Sequence, residues 1–108
     1  MINKQALIPT VIVAKPTSTA KADLEVMAKW VAQLTTKAVP NNLLIEDIII
    51  TFTGSKDVEK RIKSLTDHKE IKVVLIYSAK QIFTTKEECY EFIATMADFY
   101  KIKVICYR

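Results

Sequence analysis

Three short segments combine hydroxyl groups with lysine or glutamine side chains. They occupy residues 15–19, 53–56 and 78–81, and they contribute Lys15, Thr17, Ser18, Thr19, Thr53, Ser55, Lys56, Ser78, Lys80 and Gln81. Each segment follows an apolar run and precedes a helical pattern, so these groups would stand beside helix N-termini, where a phosphate or sulfate can bind. The same residue types cap helices and form turns in any α/β protein, and we favour that interpretation. No Gly-rich phosphate loop is present, so support for a nucleotide site is weak.

Other residues that carry chemistry do not form a recognisable site. His68 is the single histidine, and the two cysteines, Cys89 and Cys106, lie in apolar patterns typical of small core residues. Glu46 and Asp47 are adjacent, so a strand would direct them to opposite faces. The acidic residues of the last helix, Glu87, Glu88 and Glu91, indicate a solvated helix face. We therefore predict no metal, no cofactor and no carboxylate pair.

A basic stretch at residues 56–63 is the candidate for contact with the DNA backbone. Its cations are Lys56, Lys60, Arg61 and Lys63. Asp57 and Glu59 interrupt it, which favours an ordinary solvated face. Only two of the sixteen cations in the chain are arginines, whereas proteins that read bases prefer the bidentate arginine fork. Any DNA binding is therefore expected to be weak and independent of sequence.

Length and composition indicate one folded domain spanning residues 1–108. Half of the residues are hydrophobic, a quarter are charged, and the net charge is +4. Residues 1–5 lack the apolar core of a signal peptide, and no apolar run approaches the roughly 18 residues of a membrane span. We predict a cytoplasmic protein with no membrane contact.

Hydrophobic patterning predicts four strands that alternate with three helices. Strands are expected from just after Pro9 to residue 14, within residues 43–52, and over residues 71–77 and 102–107; helices are expected over residues 20–37, 55–65 and 85–100, with residues 78–84 as a loop. Ser18 or Thr19, and Ser55, are predicted helix caps, and Thr85 with Glu88 forms a capping box. The order β-α-β-α-β-α-β predicts a parallel sheet with helices on both faces.

The patterning also predicts which side chains form the core. The consecutive residues Ile48, Ile49 and Ile50 indicate a strand that is buried on both faces. Trp30 lies beside the apolar face of the first helix and is expected to pack at its edge. The expected inner faces of the three helices consist of Leu24, Met27, Ala28, Val31 and Leu34; of Val58, Ile62 and Leu65; and of Cys89, Phe92, Ile93, Met96 and Tyr100.

Several segments together resemble the catalytic domain of serine site-specific recombinases, the resolvase/invertase family. Residues 73–83 (VVLIYSAKQIF) and 84–93 (TTKEECYEFI) match its hydrophobic strand and following helix, residues 24–33 (LEVMAKWVAQ) match its first helix, and Thr53-Gly54 matches its Ser-Gly turn. The resemblance covers nearly the whole chain. It implies a three-layer, resolvase-like domain with a four-stranded parallel sheet in the order 2-1-3-4.

The chain departs from that family where the family carries its chemistry. The family's Tyr-x-Arg-x-Ser pattern corresponds to residues 13–17 (VAKPT), so Lys15 replaces the arginine and Thr17 the nucleophile, with Ser18 one place away. The family's Asp, Arg and distal Arg correspond to Lys80, Gln81 and Thr84. Phosphoryl transfer requires the charge on the phosphate oxygens to be neutralised. The resemblance therefore implies a degenerate domain without strand cleavage.

Three hypotheses about function follow. The leading one is a degenerate recombinase-like domain that acts through DNA or protein contacts, as a homodimer or with a recombinase partner, in mobile-element or phage-related DNA transactions. The alternative is a small regulatory module of flavodoxin or receiver shape that binds a phosphorylated ligand at the carboxyl ends of the strands, through residues such as Lys15 and Lys80. The third is an active recombinase fragment that uses Ser18. The family's long dimerisation helix would follow Arg108, so the sequence represents either part of a longer protein or a stand-alone form of the domain.

Overall fold

Four parallel strands and four α-helices make up the computed structural model, which describes residues 6–108. The strands are β1 (Ile8–Ala14), β2 (Leu43–Ile50), β3 (Val73–Ile76) and β4 (Lys103–Cys106); the helices are α1 (Lys21–Ala38), which runs into a 3₁₀ turn (Val39–Asn41), α2 (Ser55–Thr66), α3 (Ala79–Ile82) and α4 (Lys86–Tyr100). The sheet order is β2-β1-β3-β4, with every pair parallel. This confirms the predicted fold class and strand order.

The sheet separates two hydrophobic clusters. Val11 and Val13 of β1 face α2 and α4, whereas Ile12 between them faces α1. The β3 residues alternate in the same way, with Val74 and Ile76 on the side of α2 and α4. Alternate side chains of the central strands β1 and β3 therefore pack on opposite faces of the sheet. The domain has three layers: α1, the sheet, and α2 with α4.

A one-residue bulge in β2 sets which of its side chains reach each face. Thr10 pairs with Ile45 and Val11 with Asp47, so Glu46 is the extra residue. Ile45 packs in the cluster beneath α1, and Ile49 packs in the cluster beneath α2 and α4. Without the extra residue these two odd-numbered positions would lie on the same face. The pairing of β2 with β1 therefore changes register at Glu46 and Asp47.

Two expectations about the strands were wrong. The strand β2 lies at the edge of the sheet, so Ile48 is 43% exposed and Ile50 is half-buried rather than both being enclosed. The strand β1 begins at Ile8 and so includes Pro9. Pro9 is tolerated because the pairing of β1 with β3 begins one residue later, at Thr10 and Val73.

The helical faces were predicted correctly at their centres and wrongly at their margins. Met27, Leu34, Phe92 and Met96 are buried, but Ala28 and Ile93 are exposed. The predicted loop at residues 78–84 contains the single turn of α3. Trp30 is half-buried and stacks on Tyr77 with ring centroids 5.3 Å apart, which agrees with the predicted packing role.

Within residues 6–108, no helix has the length and apolar character needed to cross a membrane. Residues 1–5, on which the expectation of no signal peptide rests, lie outside the described residues.

Candidate functional site

The three polar segments follow the carboxyl ends of β1, β2 and β3, which meet along one edge of the sheet. The first two ends are joined directly, because the Thr51 N–H donates to the Ala14 carbonyl at 3.0 Å. In the first segment Lys15 is half-buried, and Thr17 and Ser18 are exposed. Ser18 makes local hydrogen bonds: its Oγ accepts the Ala20 N–H at 3.1 Å and donates to Asp23 at 2.5 Å.

The first helix cap was therefore misplaced by the sequence prediction. The N-cap position of α1 is Ala20, whose side chain has no polar group to cap a helix. Ser18, two residues before the N-cap, instead fixes the turn that precedes α1 through its hydrogen bonds to Ala20 and Asp23. These two hydrogen bonds are thus made by the residue one place after the one that the resemblance aligns with the family's nucleophile.

Thr51 organises the turn between β2 and α2. It is fully buried, and its Oγ1 accepts the Thr53 N–H at 3.3 Å and the Gly54 N–H at 3.1 Å. The same hydroxyl donates to the Asp57 carboxylate at 2.9 Å. Neither Thr51 nor Asp57 was identified as a site residue from the sequence. A threonine at a strand end three residues before the only glycine was the available signal.

Gly54, not Ser55, is the N-cap residue of α2. Its φ of 133° lies in a region that L side chains rarely adopt, and a Cβ there would lie 3.3 Å from the Ile82 carbonyl oxygen. The turn thus approaches the backbone of α3 closely. Ser55 is the first helical residue, and its hydroxyl points to a partner on another helix.

That partner is Glu88, in the first turn of α4. The Ser55 hydroxyl donates to one carboxylate oxygen, and the Thr84 N–H and hydroxyl donate to the other at 3.0 and 2.6 Å. Glu88 is therefore a half-buried bridge, and its assignment to a solvated face was wrong. The capping box is half present: Thr85 accepts the Glu88 N–H at 3.1 Å, but the glutamate returns to Thr84.

The hydrogen bonds keep Glu88 ionised. The Ser55 hydroxyl contributes most, followed by the Thr84 hydroxyl and N–H, and together they lower the pKa of Glu88 from 4.5 to about 2 against the opposing effect of burial. The adjacent cleft of about 320 Å³ also contains Asp57 in its wall. The exposed Lys56 lines the same cleft, so its wall carries two carboxylates and one ammonium group.

The cations of α2 are arranged differently in space than in sequence. Lys56, Lys60 and Lys63 are exposed and lie at helical positions i, i+4 and i+7, so they form one row. Arg61 leaves that row: its guanidinium donates to the Ile50 carbonyl at 2.8 Å and pairs with Asp57 at 3.4 Å. Asp57 therefore interrupts the basic stretch in sequence but is turned towards the sheet. We call Lys56, Lys60 and Lys63 the α2 lysine row.

The remaining predicted site residues lie on α3 and just after it. Lys80 is exposed and Gln81 is half-buried. Thr84 is the residue that the resemblance aligns with the family's distal arginine. Its N–H and its hydroxyl both donate to the Glu88 carboxylate. None of these three residues is an arginine or an aspartate.

Neither a metal-binding cluster nor a reactive cysteine is found among the described residues 6–108. Within residues 6–108, no three His, Cys, Asp or Glu side chains are grouped so that they could hold a metal ion. The thiols of Cys89 and Cys106 are free, half-buried and packed against the cluster under α2 and α4, and burial is the main cause that raises the pKa of each.

Comparison with known proteins identifies the fold. No protein-family model and no curated protein sequence matches the chain. Among solved structures, the chain is similar to the C-terminal catalytic domain of ISC1926 TnpA, an IS607-like serine recombinase, with a TM-score of 0.69 and 21% sequence identity over 93% of this chain and 69% of that chain. This similarity shows that the chain has the fold of a serine recombinase catalytic domain.

Proposed function

We propose that this recombinase-like domain contacts the DNA backbone without cleaving it, in DNA transactions of mobile elements or phages. The observation that carries the absence of cleavage is the bridge at Glu88. Its ionised carboxylate lies between the N-termini of α2 and α4, at the edge of the sheet that follows the carboxyl ends of the strands. The proposed setting rests on the similarity to an IS607-like serine recombinase.

Electrostatics supports the absence of cleavage. A phosphoryl-transfer transition state spreads negative charge over the phosphate oxygens, and cationic side chains or free hydrogen-bond donors must stabilise it. At this edge the donors of Ser55 and Thr84 are directed to Glu88, and Arg61 is directed to Asp57 and the end of β2. A phosphate approaching this position would meet the carboxylates of Glu88 and Asp57, with the single ammonium of Lys56 in place of a set of arginines.

The α2 lysine row supports contact with DNA. Its three ammonium groups are exposed on one helical face of a protein with a net charge of +4. Lysine side chains bind phosphates as point charges and do not distinguish bases as the arginine fork does. The expected binding is therefore weak, dependent on salt and independent of sequence.

Cleavage can be tested directly with supercoiled plasmids that carry candidate recombination sites. After incubation with the purified protein, denaturing gels should show neither nicked DNA nor a covalent protein–DNA adduct. An adduct that disappears in Ser18→Ala or Thr17→Ala would refute the proposal and support an active recombinase fragment.

DNA binding can be tested through its dependence on salt. Three neutralised phosphates predict a slope of log affinity against log salt of about −2.7. The Lys60→Glu/Lys63→Glu variant should bind more weakly and give a flatter slope. The matched control is Lys21→Glu/Lys29→Glu, which changes the net charge equally at exposed positions of α1. Equal losses in the two variants would mean that general charge, and not the α2 row, governs binding.

The same titrations separate the proposal from the regulatory-module alternative. If Lys15→Ala and Lys80→Ala abolish binding of a phosphorylated ligand while the α2 variant leaves it unchanged, the domain is a small-molecule sensor. Tight, sequence-selective DNA binding that is insensitive to salt would contradict both interpretations, because the chain carries only two arginines.

A further inference from the structure

A second cleft lies between α3 and the start of α4, and its charge differs from that of the cleft beside Glu88. Its volume is about 330 Å³, and the Phe83 ring and the Cys89 thiol contribute to its apolar walls. The exposed side chains of Lys80, from α3, and Lys86, from α4, also line it. Among the described residues 6–108, no carboxylate lines this cleft, so its charged groups are two ammonium groups.

An aromatic ring that faces solvent completes the lining. Tyr90 is 67% exposed and borders the cleft. Within residues 6–108, the aromatic rings that contact one another belong to Trp30, Tyr77, Tyr107, Phe83 and Phe92, so the Tyr90 ring stacks on no other ring. Its face is therefore available to a planar group of a ligand.

The neighbouring acidic residues of α4 lie on the other side of Tyr90. Successive residues of an α-helix are rotated by about 100° about its axis. Lys86 and Cys89 therefore lie to one side of Tyr90, towards the cleft, whereas Glu87 and Glu91 lie to the other. A ligand that enters from the side of the lysines meets the aromatic ring before it meets a carboxylate.

We propose that this cleft binds an unpaired base of single-stranded DNA, with the base stacked on Tyr90 and the flanking phosphates beside Lys80 and Lys86. Proteins that bind single strands without sequence preference combine basic side chains, which contact phosphates, with aromatic rings on which bases stack. A base within a duplex is already stacked between its neighbours, so the Tyr90 ring can stack only on an unpaired one. The choice of DNA as the polyanion rests on the proposed function.

The cleft adjoins the α2 lysine row but is a separate contact. Thr84 lines both this cleft and the one that contains Lys56, the first member of the row. The carboxylates of Asp57 and Glu88 line the second cleft and therefore separate the two basic regions. The row and the Tyr90 cleft can thus be tested independently.

The experiment compares a labelled single strand of thymidylate with a duplex of equal length by fluorescence anisotropy. Tyr90→Ala should weaken binding of the single strand about tenfold and leave binding of the duplex unchanged, because a stacked base is lost. Tyr90→Phe retains the ring and should bind as wild type. Lys80→Gln/Lys86→Gln should reduce the salt slope for the single strand by about 1.4, as expected for two phosphates.

Controls separate a lost site from a general effect. Phe99 is 80% exposed on the same helix, about 180° from Tyr90, so Phe99→Ala should bind the single strand as wild type. Lys21→Gln/Lys29→Gln removes the same charge from α1 and should reduce the slope less than the cleft variant. Because Tyr90 is largely exposed, thermal melts of its variants should stay close to that of wild type.

Direct contact can be shown by photocross-linking. A single strand that contains 5-iodouracil should form a cross-link that peptide mapping assigns to Tyr90, and Tyr90→Ala should remove it.

Three results would overturn the proposal. The first is an equal loss of single-strand and duplex binding in Tyr90→Ala, and the second is an equal effect of Tyr90→Ala and Phe99→Ala. The third is competition by free thymidine monophosphate as effective as that by the strand, which would assign the cleft to a nucleotide. Failure of the α2 row variant Lys60→Glu/Lys63→Glu to weaken duplex binding would refute the proposed duplex contact instead, and a loss confined to the single strand in Tyr90→Ala would still support this site.

Discussion

Glu88 joins three elements through one carboxylate. It accepts from Ser55 at the start of α2, from Thr84 after α3, and it lies in the first turn of α4, where its own N–H is capped by Thr85. A negative charge beside helix N-termini is also favourable because of the helix dipole. This residue therefore stabilises the arrangement of the loops at the carboxyl edge of the sheet.

The Glu88 bridge predicts a specific pH dependence of stability. Because the folded-state pKa of about 2 lies below the ordinary value of 4.5, the ionised carboxylate stabilises the fold above pH 4.5, and this contribution disappears as the pH falls towards 2. The Glu88→Gln variant should thus unfold at lower urea concentration at neutral pH and approach wild type in acid. Glu87→Gln, on the exposed side of the same turn, is the control. A deficit in Glu88→Gln that is constant across this pH range would contradict the argument.

Thr51 supports the preceding turn with a single buried hydroxyl. Thr51→Val preserves the shape but leaves the Thr53 and Gly54 N–H groups and the Asp57 carboxylate without this partner. We expect the free energy of unfolding to fall by about 1–3 kcal/mol in denaturant titrations. Thr53→Val, at an exposed neighbouring position, should change it far less. Equal effects of the two substitutions would show that the buried hydroxyl has no special role.

At the scale of elements, the apolar residues of α4 differ in how deeply they are buried. Met96 is fully buried in the cluster beneath α2 and α4, whereas Ile93 is 37% exposed. Met96→Ala should destabilise the protein by about 2–5 kcal/mol. Ile93→Ala should cost clearly less in the same thermal and urea measurements. A larger cost at Ile93 than at Met96 would mean that the helix is rotated relative to this description.

The helix α2 shows why linear charge patterns mislead. In sequence its lysines alternate with acidic residues, but on the helix they form one exposed row, while Asp57 and Arg61 pair with each other and bind the end of β2. Asp57 therefore does not reduce the charge of the row, whereas Glu59, three residues after Lys56 and four before Lys63, lies beside it. The direction in which each side chain points determines which charges α2 exposes to a binding partner.

At the scale of the whole molecule, the sheet is the common wall of both cores. Residues of β1 and β3 contribute alternately to the cluster beneath α1 and to the one beneath α2 and α4. Loss of either cluster therefore removes the packing from one face of the strands on which the other cluster also depends. The three layers should fold as one cooperative unit.

Two spectroscopic probes can test this cooperativity. Trp30 reports on the α1 face, where it stacks on Tyr77, whereas far-ultraviolet circular dichroism reports on all helices. The Leu34→Ala substitution in the α1 cluster should shift both transitions together, by about 2–5 kcal/mol in unfolding free energy. Separate transitions for the two probes would show that the α1 face unfolds independently.

The fold was largely predictable because its signals are local or periodic. Apolar runs and helical spacing located the strands and long helices to within a few residues, and burial of Phe92 and Met96 followed from spacing alone. Strand order came from the resemblance to serine recombinases, which the structure confirms. The burial of Ile48 and Ile50 was predicted wrongly, although the predicted strand order places β2 at the edge, because its apolar run resembles that of an enclosed strand.

The sequence by itself determined the alternation of strands and helices, the centres of the hydrophobic faces, and the scarcity of arginine, which supplies two of the sixteen cations. Only the tertiary structure decided that Glu88 binds Ser55 across 33 residues, that Arg61 turns away from the lysine row, and that Glu46 shifts the register of β2. The physical reason is the separation in sequence between the residues that interact. Periodicity acts within one helix or strand, whereas these contacts depend on how separate elements meet in space.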